Sequence, residues 1–167
     1  MSRTAYIPLR KSVRVSEVVD RRTAANLGLL LNLETTPQVT TWRQRGGELE
    51  QWIFEEFPSV DGDLLFRTEQ GDEYVWIGDQ INVCSGVEEG LLTMALSGVR
   101  SVQDITMGAA ASAALAAMME TVVDDPEGRF GGFRSEPPEK LLERLRIQSE
   151  FSSYARACAE LCARIDS

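Results

Sequence analysis

The chain has 167 residues, 43% of them apolar, a formal net charge of −9 and no histidine. Such a length suggests one domain with an adequate core. The missing imidazole excludes Ser-His-Asp and Cys-His mechanisms and every His-containing zinc site. No apolar run approaches the roughly 18 residues that span a bilayer, and residues 1–8 hold no signal-peptide core. The expectation is a cytoplasmic protein that does not contact membranes.

The charge is segregated along the chain. Residues 1–47 carry eight Arg/Lys against three Asp/Glu, whereas residues 48–90 carry twelve Asp/Glu and the single Arg67. Residues 91–167 are nearer balance, with eleven acidic and eight basic side chains. A net acidic surface argues against nucleic acid as a partner, since phosphate backbones require clustered cations. The acidic middle instead suits a basic protein surface, reached by electrostatic steering. It also suits pairing with the basic first segment inside the fold.

The first elements are the least defined. A helix is expected near residues 16–26, starting at Ser16, followed by a strand near 28–34; alternation of Val13 and Val15 also allows a short strand. Residues 39–45 and 48–54 flank Gly46-Gly47 and predict a β-hairpin with Trp42 opposite Gln51. Residues 63–69 and 72–78 predict a second hairpin around Gln70-Gly71, with Phe66 facing Val75 and Arg67 facing Tyr74. A short strand follows at 80–84.

The second half reads as helical. Ser85 and Glu88 form a capping-box pattern ahead of an expected helix over 87–96. Ser101 and Asp104 begin another, running through an alanine cluster to about residue 123 and stopping at Asp124-Asp125-Pro126. Residues 127–135 form a glycine-containing loop. Ser135 is expected to cap one long final helix with Pro137 and Pro138 in its first turn. Its apolar stripe runs through Ile147, Phe151, Tyr154, Cys158, Leu161 and Ile165. The fold class expected is α+β, in one domain over 1–167. An antiparallel sheet of about four or five strands from residues 1–84 is packed by three helices from 85–167.

Several groups are candidates for chemistry. Cys84, Cys158 and Cys162 are too few for a structural zinc site without His, and Cys158 lies on the apolar stripe; they are read as core thiols, and no metal or cofactor is expected. Asp61 and Asp63 have the first spacing of a calcium loop, but Leu65 occupies the third ligand position, so the segment is read as a turn. No nucleotide-binding, nucleophile-elbow or zinc-protease motif occurs, so no catalytic residue is assigned. The loop Gly128-Arg129-Phe130-Gly131-Gly132-Phe133-Arg134 places two aromatics and two cations around a Gly-Gly pair. It reads either as an interface element or as two Phe residues tucked under the helices.

These features predict a non-catalytic protein-binding module. Its candidate partner-binding residues are Glu55, Glu56, Asp61, Asp63, Arg67, Tyr74, Trp76, Phe130 and Phe133. Small acidic proteins without a catalytic motif include immunity proteins and antitoxins, a class defined here by size and charge alone. Two alternatives are a small-molecule-binding or carboxylate-dependent enzyme domain with a pocket between sheet and helices, using carboxylates or Tyr74, and a subunit of a larger complex docking through its last helix.

Overall fold

The computed structural model describes residues 4–8, 13–15, 17–45, 47–51, 55–57, 63–68, 80–84, 91–95 and 101–166. Among them are four helices and ten strands, and every strand pairing is antiparallel.

Helix α2 (Val102–Met118) forms the centre. Its start is the expected one: Ser101 Oγ accepts the Asp104 N–H at 3.1 Å and the Asp104 carboxylate accepts the Ser101 N–H at 3.2 Å. Every residue from Thr106 to Ala116 is buried. A helix buried all round needs small side chains wherever neighbours come close. The run Gly108 to Ala114 supplies them, with α1 (Glu17–Leu30), α3 (Pro138–Leu145) and α4 (Tyr154–Asp166) packed against it.

Helix α1 joins what was expected to be a helix and a strand. Val19, Thr23, Ala24, Leu27 and Leu30 are buried on one helical face, and Leu31 continues it into the turn. That 3.6-residue period extends through the stretch expected to be extended. The helix closes on Asn32, which adopts a left-handed φ of 52°. The Asn32 N–H donates to Leu29 O and the Leu33 N–H to Gly28 O, at 3.4 and 3.0 Å, the pattern of a Schellman cap.

Helix α2 ends the same way but without a sequence signal. Glu120 has φ 54°, and the Thr121 N–H donates to Ala116 O at 2.9 Å. The helix therefore stops at Met118 rather than near residue 123, and β9 (Val123–Asp124) begins where helix was expected.

A five-stranded sheet has the order β10-β9-β1-β8-β7. Strand β1 (Thr4–Pro8) lies inside it, with Ala5 and Ile7 buried in period two and α2 against it. Strand β8 (Leu91–Ala95) pairs with β1 on one side and with β7 (Gln80–Cys84) on the other. The expected helix over 87–96 is thus replaced, in its described part, by a strand. A five-residue stretch, apolar but for Thr93, carries no usable period of its own, and two neighbouring strands claim its backbone hydrogen bonds. The Ser85–Glu88 pattern lies outside the described residues.

A separate three-stranded sheet has the order β4-β3-β6. Trp42 of β3 (Val39–Arg45) stands opposite Gln51 of β4 (Glu48–Gln51), the register expected. On its other edge β3 pairs with β6 (Asp63–Thr68), Thr41 opposite Phe66 and Val39 opposite Thr68, and all four residues are buried. Residues 72–78, the expected hairpin partner of β6, lie outside the described residues. Strands β2 (Val13–Val15) and β5 (Glu55–Phe57) form a two-stranded sheet. The strands of the first half therefore belong to three sheets among the described residues, with α1 between them in sequence.

The single long C-terminal helix is also corrected. Ser135–Glu136 is strand β10, paired to β9, and the helix start falls at Pro138. Arg146 leaves helical conformation at ψ 126°, and the Ile147 N–H donates to Leu30 O at 3.0 Å instead of to its own helix. Ser153 then opens α4, its hydroxyl accepting the Arg156 N–H at 3.2 Å.

Candidate functional site

The connection from β9 to β10 is tied down by side chains at both ends. At its base the Asp125 N–H donates to Arg134 O at 3.1 Å. Asp125 is 1% exposed, and its carboxylate accepts the backbone N–H groups of Phe130 at 2.8 Å, of Gly132 at 3.4 Å and, very closely, of Arg129. Burial pushes the Asp125 carboxyl upward from its ordinary value, against those N–H donors and the nearby Arg144. Its acceptor atoms thus fold residues 125–132 around one side chain.

A second clamp comes from α3. The Arg144 guanidinium donates to the Glu136 carboxylate through Nε at 3.1 Å and Nη2 at 2.5 Å, and through Nη1 to Phe130 O at 2.7 Å. Glu136 is 5% exposed and Arg144 half-buried, and the charge-assisted hydrogen bonds fix the relative geometry of the pair.

Between the two clamps the chain needs three left-handed residues: Gly128 at φ 67°, Gly131 at 79° and Phe133 at 53°. Phenylalanine pays a conformational cost there. At Gly128 a Cβ would lie 2.2 Å from Phe133 Cζ, so the aromatic ring sits directly on the glycine. The two Phe residues then diverge. Phe130 is 1% exposed and part of the core, whereas Phe133 is 67% exposed, the most exposed large apolar side chain among the described residues. Phe130 is thus tucked under the helices, as one reading of this loop expected of both rings, whereas Phe133 is not.

The acidic candidates among the described residues fall on strands of two different sheets. Glu55 and Glu56 lie on β5, opposite Val15 and Arg14 of β2. Asp63 begins β6 in a different sheet, opposite Gln44, and half-buried Arg67 stands opposite Thr40. Asp61, Tyr74 and Trp76 lie outside the described residues. Glu48 and Glu50 are exposed on β4, which pairs only with β3 among the described strands. Sequence reasoning missed Asp125, Glu136 and Arg144; Asp125 was read only as a helix stop.

Two further features bear on chemistry. Cys158 and Cys162 are buried in α4, as expected for core thiols, and burial pushes both up to about 11. Asp20 of α1 accepts the Thr41 hydroxyl of β3 and borders a recess of about 420 Å³ shared with Glu17, Arg21, Thr40 and Gln51. Desolvation raises the Asp20 carboxyl above its ordinary value, partly opposed by Thr41. No helix among the described residues is long and apolar enough to cross a membrane.

Comparison with protein-family models, curated proteins and solved structures finds no match to this chain.

Proposed function

We propose that the chain is a single α+β protein-binding module whose contact element is the β9–β10 loop, with Phe133 as its anchor. The observation that carries this reading is an exposed aromatic ring in a left-handed backbone conformation, in a loop tied down by the buried Asp125 carboxylate and by half-buried Arg144 paired with buried Glu136. Folding alone gives little reason for a strained, exposed Phe in a loop so firmly fixed. A rigid aromatic also loses little entropy on binding, the general property of interface hot spots. The acidic residues of 48–90, including Glu55, Glu56, Asp61 and Asp63, add a field that favours a partner with a basic surface. Immunity proteins and antitoxins remain the nearest class by size and charge, and the cytoplasm the compartment proposed.

The test is affinity capture from the source organism with the unmodified chain, Phe133→Ala and a Glu55/Glu56/Asp61/Asp63→Lys variant, followed by titration of the purified captured protein. Phe133→Ala should weaken binding by about 2 kcal/mol with an unaltered unfolding midpoint. Equal affinity of the two chains for every captured protein would refute the loop as the contact. A second reading, small-molecule binding or carboxylate chemistry, is favoured by Asp20: a half-buried carboxyl with a raised proton affinity bordering a recess between helix and sheet.

A further inference from the structure

We propose that the groove between β10 and α3, next to the Phe133 loop, binds one oxyanion group, a carboxylate or a phosphate, carried by the partner. This rests on the reading of that loop as a contact element and specifies what the partner presents there.

The groove encloses about 510 Å³ and is lined by the side chains of Arg134, Glu136, Lys140, Glu143 and Arg144 among others. Its charges are not equivalent. Glu136 and Arg144 neutralise one another in a pair with an N···O distance of 2.5 Å, and Glu136 is almost wholly covered. Three of the five N–H groups of Arg144 are engaged by Glu136 and Phe130 O, which leaves two on a guanidinium held by those three bonds. Arg134 reaches Glu136 only at 3.8 Å, and its side chain is 63% exposed. Lys140 is exposed and makes no ion pair among the described residues. Against these two accessible cations stands one accessible carboxylate, Glu143. In a chain of net charge −9 this is a local reversal of sign, located on a concave surface with a fixed Arg at its wall.

The position adds to the argument. Arg134 follows Phe133 directly, so one partner segment reaches both an apolar contact on the ring and the groove cations. The field of the acidic segment acts at long range on the partner as a whole, whereas the groove acts on one group at contact distance. The two surfaces thus select different parts of a partner.

The charge argument makes signed predictions. Isotope-labelled protein is titrated with sodium phosphate and, separately, with sodium acetate, at constant ionic strength set with sodium chloride, while backbone amide shifts are followed. Saturable shifts confined to residues 134–144 are expected. Lys140→Gln should weaken the binding about fivefold and Glu143→Gln should strengthen it by a similar factor, since each changes one exposed charge worth up to about 1 kcal/mol. Both side chains are exposed, and an unchanged spectrum elsewhere confirms that the fold is kept. Saturation by phosphate but not acetate identifies a phosphorylated group as the source; the reverse identifies a carboxylate. Shifts that do not saturate, that spread over cations elsewhere, or that respond alike to the two substitutions overturn the proposal. Phe133→Ala separates it from the functional reading: silent ions beside a Phe133-dependent partner remove the groove alone. Saturable ions beside a Phe133-independent partner remove the anchor alone.

Discussion

Replacing Asp125 with alanine removes one carboxylate and leaves three backbone N–H groups, at Arg129, Phe130 and Gly132, without their acceptor. Arg129 and Phe130 are buried, so water cannot substitute there without opening the loop. Each buried donor left unsatisfied costs about 1–3 kcal/mol, while the Gly132 contact, long at 3.4 Å and half-buried, adds little. Relief of the desolvation that raises the Asp125 carboxyl returns part of this. The expected net loss is about 2–3 kcal/mol in urea unfolding. Hydrogen exchange of the Phe130 amide should accelerate well beyond the change seen in α2. Asp125→Asn keeps one acceptor oxygen and should lose less. The sign of the pH effect follows from the raised carboxyl. A raised folded-state value means that the stability it contributes is complete below the unfolded-state value and declines as pH rises through the folded one. The cost of truncation should therefore be larger near pH 4 than at pH 7. A loss below about 0.5 kcal/mol with unchanged Phe130 exchange would refute the claim that Asp125 organises the loop.

The remaining expectations concern packing and reactivity. Phe130→Ala should cost about 3–5 kcal/mol of unfolding free energy, while Phe133→Ala should stay within about 0.5 kcal/mol; equal costs would contradict the divergent burial of the two rings. Ala111→Leu, at a fully buried site on α2, should destabilise by about 2–3 kcal/mol or prevent folding, as read from the thermal midpoint. Glu120→Gly relieves a left-handed φ of 54° and should leave the midpoint unchanged or raise it. In a Cys84→Ser background, Cys158 and Cys162 should resist alkylation at pH 8 until denaturant is added, because thiols pushed up to about 11 are almost wholly protonated there. Rapid labelling of the native protein would contradict their burial.

Where local chemistry and final structure agree, the interaction is short-range in sequence. Ser101 and Asp104 are three residues apart, and their reciprocal hydrogen bonds form on either side of one helical turn. The Trp42–Gln51 register is set by a turn within the same hairpin. The alanine run of α2 announced close packing because small side chains are the only ones that admit neighbours from several sides. The same logic held for Cys158, which the apolar stripe placed in the core.

The failures share the opposite property. Strand β8 is extended because β1, more than eighty residues earlier, pairs with it from Thr4↔Ala95 to Pro8↔Leu91, and nothing within Leu91–Ala95 encodes that partner. The last helix breaks although its apolar stripe continues, because Leu30 O accepts the Ile147 N–H from across the fold. The candidate site shows the contrast most sharply. Composition alone marked residues 128–134 as a place where aromatics and cations meet, but Phe130 and Phe133 have indistinguishable local chemistry, each beside the Gly131-Gly132 pair. Which ring is buried and which is presented depends on a carboxylate at 125, a guanidinium at 144 on another element, and the bare Cα of Gly128 beneath the exposed ring. Short-range hydrogen bonding and side-chain volume could be read from the sequence; the choice between equivalent residues required groups that only the folded backbone brings together.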